Sequence, residues 1–201
     1  MHDKISYKFM CWNATVSLQT FVFSTIPLVL CYYLKLISFS MFITFQTFIT
    51  IQLIEYFLWT YLNTSWNTFF SKLGYLFVLL LPFNSILFSF MPYKYYILGL
   101  YILFISTYTF TYPIHFHTSI AKNKHLSWEW LKFPLHIVFI WAIFFVLPSL
   151  HKLCIITLFT ITTFFITLYT YYYTNTFGSM WCWIGNFNSL YMYALLIRYF
   201  L

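Results

Sequence analysis

The chain has 201 residues, of which 62% are hydrophobic, 27% aromatic and only 6% charged, with a mean hydropathy of +0.80 and a formal net charge of +7. Soluble globular domains carry roughly a quarter charged residues, so this composition argues against a soluble fold and for an all-α integral membrane protein. The ten basic residues stand scattered against Asp3, Glu55 and Glu129 with no basic run, which fits lysines flanking membrane spans and leaves no case for a nucleic-acid partner.

In chain order, Lys4 and Lys8 precede the first apolar run, but Cys31-Tyr32-Tyr33 at its end is a poor signal-peptidase site, so the first helix is expected to stay. A hydrocarbon core of about 30 Å needs about 17 to 25 apolar residues as helix, and seven such runs can be read: 14–34, 36–62, 71–91, 94–112, 133–150, 152–173 and 179–200. The expected fold is a seven-transmembrane-helix bundle forming a single transmembrane domain over 1–201. Lys35, Asn63 to Asn67, Pro92-Tyr93-Lys94, His151-Lys152 and Asn175 to Gly178 mark the short breaks. The one long break, 113–132, holds His115, His117, Lys122, Lys124, His125 and Trp128-Glu129-Trp130, and reads as a partly structured cap at the membrane interface.

An odd number of spans sorts the unusual residues. Met10-Cys11-Trp12-Asn13, Glu55, Trp59, the 113–132 loop, His136 and Gly178-Ser179-Met180-Trp181-Cys182-Trp183 all fall on one side, and the opposite side has only short loops. Six lysines on the first side against three lysines and Arg198 opposite favour the first side as cytoplasmic. The sequons Asn13-Ala14-Thr15 and Asn63-Thr64-Ser65 on that side would argue the reverse if glycosylated.

The centre of the second run is Gln52-Leu53-Ile54-Glu55-Tyr56-Phe57-Leu58-Trp59. It places a carboxylate in an apolar segment, with Gln52, Glu55, Tyr56 and Trp59 on one helical face at i, i+3, i+4 and i+7. A charged side chain at the bilayer centre costs about 3 kcal/mol on insertion scales, so Glu55 marks either a functional site or a structural hydrogen bond. It suits a group that accepts and releases a proton, with Gln52 and Tyr56 as supports and Cys182, Asn186 and His136 as candidates across the bundle.

Cys11 and Cys182 sit in similar surroundings at the same-side starts of helices 1 and 7. If they meet, they offer a disulfide, a thiol site, or a metal site completed by His115, His117 or Glu55; otherwise they are two buried small hydrophobes. His115-x-His117 alone is a weak metal spacing, and no cofactor is expected. Helix 7 has no lysine for a retinal Schiff base, and no histidine-rich signature resembling membrane ceramidases or progestin-type receptors lies within the spans.

Polar stripes run along helix 6 (Thr160, Thr163, Thr167, Thr170, Thr174) and helix 7 (Ser179, Cys182, Asn186, Ser189, Tyr193). They either line a cavity or bond back to their own helix. Pro82-Phe83-Asn84-Ser85 echoes Asn186-Phe187-Asn188-Ser189 in equivalent helices of a three, one, three arrangement, which resembles the SWEET and PQ-loop transporters. In those proteins asparagines of these helices face the substrate, so the resemblance implies that Asn84, Asn186 and Asn188 line the cavity. The proline-glutamine signatures are absent. Met10-Cys11-Trp12-Asn13 together with 52–59 and Phe177-Gly178-Ser179-Met180-Trp181-Cys182-Trp183 resembles an uncharacterised multi-pass membrane family of giant DNA viruses. That resemblance implies a host-cell or virion membrane, and no activity is carried over with it.

The expectation is a channel or transporter for protons or a small solute, through a polar cavity around Glu55 with Gln52, Tyr56, Asn84, Asn186 and Asn188. No catalytic residue is assigned. A membrane-embedded enzyme or metal or redox protein using Cys11, Cys182, Glu55 and the loop histidines, or a structural or assembly protein, stay open beside it. The partners are the lipid bilayer and the proton or solute, and the oligomeric state is open.

Overall fold

The structure is a computed structural model that describes residues 13–150 and 155–201. The elements are α1 (Ala14–Tyr33), α2 (Phe39–Thr60), α3 (Trp66–Leu87), α4 (Lys94–Thr111), the strands β1 (Thr118–Ile120) and β2 (Leu126–Trp128) with a 3-10 turn (Glu129–Leu131), α5 (Leu135–Leu150), α6 (Ile155–Tyr171), α7 (Phe177–Gly185) and α8 (Asn188–Phe200). Local chemistry sets the boundaries. Asn13 caps α1 by accepting from the Val16 N–H at 3.1 Å, and Ser38 caps α2 by accepting from Met41 at 3.2 Å. Lys35 and Tyr93 take left-handed backbone conformations at the turns before α2 and α4. Lys94 donates to the Leu87 and Ser89 carbonyls at 3.0 and 3.2 Å, closing the end of α3 with a cation.

α2 and α3 form the centre: α1, α3 and α7 pack on α2, while α4 and α5 pack on α3. The main core cluster joins α2, α3, α5 and α7 to the 113–133 segment, and a smaller one, around Leu28, Cys31, Ile49, Met192 and Leu196, ties α1 and α8 to the first half of α2. α4 is peripheral. Tyr101 and Tyr108 are its buried residues, and Tyr101 donates to Leu79 O at 2.7 Å, whereas Leu100, Leu103 and Phe110 face outward.

The chain is all-α apart from the small hairpin, as expected, but the spans differ from the sequence reading. Among the described residues, α1, α2 and α3 are long and apolar enough to cross a membrane. α4, with many tyrosines and threonines, is less apolar, and α5 and α6, at 16 and 17 residues, are shorter than the runs 133–150 and 152–173. The expected single helix 179–200 is two helices, α7 and α8, broken at Asn186-Phe187. There the Asn186 side-chain Nδ2 donates to the Cys182 carbonyl, the acceptor that the Asn186 backbone N–H would use in a continuous helix, and that N–H bonds to Trp183 O instead. Gly185 lets the Phe48 ring close against the break, where a Cβ would collide with it.

The 113–132 segment, expected as a partly structured cap, contains an ordered hairpin whose tryptophans are buried in the bundle. β1 and β2 pair antiparallel, Thr118 opposite Trp128, and Trp128 and Trp130 are 2% and 1% exposed. The hairpin is a plug set into the end of the bundle.

Candidate functional site

One face of α2 carries the site. Thr44, Phe48, Gln52 and Glu55 recur at i, i+4, i+8 and i+11, which stacks them along one side of the helix. Gln52 is fully buried and Glu55 is 3% exposed. Gln52 Nε2 donates to Glu55 Oε2 at 2.8 Å. The other carboxyl oxygen and Gln52 Oε1 are both buried without a hydrogen-bond partner. From α7, the Ser179 hydroxyl turns toward the carboxyl, and the Cys182 thiol stands close enough for the two groups to interact electrostatically. Among the described residues, the ion pair is between Lys132 and Glu129 at the surface, 2.8 Å apart, so no basic group neutralises Glu55. A buried polar atom left unpaired costs about 1–3 kcal/mol, and here two acceptors face that cost side by side.

The hairpin plug closes one end of this site. Trp128 and Trp130 stack with centroids 4.6 Å apart and planes 14° from parallel. Each rests on a glycine of a neighbouring helix. A Cβ on Gly178 would stand 2.7 Å from Trp128 Cζ3 and 2.5 Å from Leu131 Cδ2, and one on Gly74 would stand 2.9 Å from Trp130 Cζ2. The plug is latched to α3 by polar groups. Asn67 Nδ2 donates to Thr118 O at 2.8 Å and its Oδ1 accepts from Thr118 N at 2.9 Å. Thr118 Oγ1 in turn meets Ser71 Oγ at 2.8 Å and accepts from Trp130 Nε1 at 3.1 Å. Asn175, in a left-handed conformation, donates to Trp128 O at 3.0 Å from the α6–α7 turn. Trp128 Nε1 alone is buried without a partner in this cluster.

Three of the cavities bear on residues expected at the site. One of about 20 Å³ lies between the plug and α7, walled by Trp128, Trp141, Gly178, Trp181 and Cys182. A second, of about 80 Å³, lies in the opposite half of the bundle, with mainly apolar walls among which Thr44, Ser85, Ser149, Thr160 and Asn188 are the polar residues. Phe48 lines this second cavity and packs edge-on against Trp181 at 4.9 Å, so these rings separate it from the first. The third is an open groove of about 330 Å³ between α1 and the α7–α8 break, lined by Gln19, Thr20, Trp183 and Asn186.

No family model, no curated protein and no solved structure matches this chain. Its chemistry has to be read from its own geometry.

The structure brings Glu55, Gln52 and Cys182 together and disperses the remaining expected residues. Tyr56 is half-buried and packs edge-on against Phe57. Asn84 donates to Thr47 Oγ1 at 2.8 Å, a bond between α3 and α2 two turns from Glu55. Asn188 donates to Thr160 Oγ1 at 3.0 Å in the 80 Å³ cavity, whereas Asn186 serves the helix break and the outer groove. His115, His117 and His136 are exposed. Among the described residues no three of His, Cys, Asp and Glu gather in a way that could hold a metal ion. Cys182 is a free, buried thiol, and Cys11 lies outside the described residues. In the α6 stripe, Thr163 and Thr167 bond back to the Phe159 and Thr163 carbonyls at 2.9 Å, the second of the two roles the sequence left open.

Sequence reasoning missed Ser179 as a neighbour of Glu55, Phe48 as the divider, and the Asn67–Thr118 latch. Phe48 was accessible from its spacing, four residues before Gln52 on the same face. The Asn67–Thr118 latch joins positions 51 residues apart, and no local pattern marks it.

Proposed function

We propose that this chain is a multi-pass membrane protein that moves a proton or a small solute across the bilayer along the inward face of α2, with Glu55 as the group that binds and releases it. The observation that carries this reading is the buried Glu55 carboxyl, which Gln52 meets at one oxygen and the Ser179 hydroxyl approaches, with Oε1 left without a hydrogen-bond partner and no basic partner among the described residues. A structural carboxylate is expected to be saturated with donors; one with free acceptor capacity is placed to take up a transient partner. The arrangement along α2 supports the same reading. Glu55 and the small cavity lie near the plug, the 80 Å³ cavity with its few polar residues lies beyond Phe48, and the two rings of Phe48 and Trp181 stand between them. That is the layout of a pathway closed at two points.

In this reading the helices beyond α1, α2 and α3 also cross, α7 and α8 forming one discontinuous span whose break at Asn186-Phe187 falls within the bundle. The outward apolar surface of α4, including Leu100, Leu103 and Phe110, then faces lipid. The setting is a host-cell or virion membrane if the resemblance to the giant-virus family holds.

The test is flux of protons into proteoliposomes, followed with a pH-sensitive dye, for the wild type and Glu55→Gln at matched folding. Flux in the wild type and its loss in the variant are expected. Equal flux in both proteins would overturn the assignment of Glu55.

A further inference from the structure

We propose that the Glu55 site binds a monovalent alkali cation, held by Glu55, the Gln52 carbonyl and the Ser179 hydroxyl, in exchange with a proton. This rests on Glu55 being the exchanging group of the pathway.

Two acceptors are orphaned here, Glu55 Oε1 and Gln52 Oε1, on side chains already joined through Gln52 Nε2 and Glu55 Oε2 at 2.8 Å. A proton on Glu55 Oε1, donated to Gln52 Oε1, would satisfy both oxygens in the protonated state; when it leaves, both are again without a donor. A cation bound by several oxygens draws on all of them at once, and the Ser179 hydroxyl adds a third oxygen from the facing helix. The donor set is hard: carboxylate, amide carbonyl and hydroxyl, which suits cations that prefer oxygen over the neighbouring Cys182 sulfur.

Charge fixes the valence. Glu55 is the one acidic group within the spans, and Glu129 is occupied by Lys132 at the surface. A monovalent ion makes a neutral buried pair with a lone carboxylate, whereas a divalent ion would leave net charge in an apolar interior. The elements packed on α2 are α1, α3 and α7, and the titratable group that faces Glu55 from them is the Cys182 thiol of α7. No lysine, arginine or histidine among the described residues pairs with the carboxyl, so none of them supplies the counter-charge.

A carbodiimide reads the occupancy directly, because it reacts with a protonated carboxyl in apolar surroundings and not with one held by a metal ion. The intact protein in detergent would be labelled between about pH 5 and pH 9, in choline, lithium, sodium or potassium chloride at equal ionic strength, with modification of Glu55 followed by mass spectrometry. Expected is labelling that falls as pH rises and that at least one alkali salt slows to about a tenth, once the ion reaches about ten times its dissociation constant. Gln52→Leu and Ser179→Ala should keep the pH-dependent labelling and lose the protection. Labelling that depends on pH but is the same in all four salts would overturn the cation site while leaving proton exchange at Glu55 standing. Labelling that depends on neither would overturn both.

Discussion

The side-chain amide of Asn67 makes with the backbone of Thr118 the pair of hydrogen bonds that a neighbouring strand would make, donating at 2.8 Å and accepting at 2.9 Å. The same Asn67 also donates to Leu62 O at 2.7 Å and accepts from Ser71 Oγ at 3.1 Å, so each polar atom of a nearly inaccessible amide is used. One side chain at the start of α3 thereby holds the first strand of the plug in register.

Asn67→Ala is expected to strand the buried Thr118 N–H and carbonyl, at about 1–3 kcal/mol for each group. Thermal unfolding in detergent should show a clear loss of stability, and limited proteolysis should cut within 118–128. The exposed Asn63→Ala is the control and should lie within about 0.5 kcal/mol of the wild type. An Asn67→Ala protein as stable and as resistant as wild type would mean that the latch does not hold the plug.

Gly178→Ala tests the seat of Trp128. Its Cβ has no room against Trp128 and Leu131, so the hairpin has to lift, at a cost of about 1–3 kcal/mol for an overpacked contact. The near-ultraviolet circular dichroism of the stacked Trp128 and Trp130 pair should change. Gly99→Ala, on the outer side of α4 with nothing near its Cβ position, should instead be neutral or stabilising by up to about 1 kcal/mol.

Phe48→Leu tests the divider. Trimming the ring that separates the two cavities should raise flux while keeping it sensitive to Glu55→Gln. Flux equal to wild type would show that the ring does not limit passage.

The plug should respond to acid through His125, which packs edge-on against Tyr171 at 6.3 Å. Burial holds the pKa of this imidazole below its ordinary value of about 6.5, so the docked hairpin favours the neutral ring. The undocked chain binds a proton first as pH falls. The stabilisation is therefore complete above the ordinary value and is lost as pH falls below it toward the lower docked value. Protease sensitivity of 121–125 should increase below about pH 6.5, and His125→Gln should flatten that profile. A profile unchanged in His125→Gln would assign the response to another group.

Much of the fold could be read from the residues, because apolar length and polar breaks are local properties. Lys35, Asn63 to Asn67 and Pro92-Tyr93-Lys94 mark the first three turns, and Gln52 and Glu55 share a face because helical spacing requires it. The plug could not be read in this way. Trp128 and Trp130 look like interfacial rings until Gly74 and Gly178, one on each side of them in sequence, are known to lie beneath them. The split of the last span was equally hidden. Asn186 is a helix breaker only because its side chain takes the Cys182 carbonyl while Phe48, from α2, occupies the space at Gly185. The three asparagines expected in one cavity went to three places because each found a different hydroxyl or carbonyl, Thr47, Cys182 and Thr160.

The two glycine seats of the plug also set an order of manufacture. Gly74 has already been made when the ribosome reaches the hairpin, but Gly178 emerges only after α5 and α6. Until then Trp130 has its glycine seat, while Trp128 has the Trp130 ring on one face and no seat on Gly178, so a half-made chain exposes part of an indole that the finished one hides. Closure of the plug is thus a late step in biogenesis, and it reports that the helix bearing Ser179 and Cys182 has arrived beside Glu55.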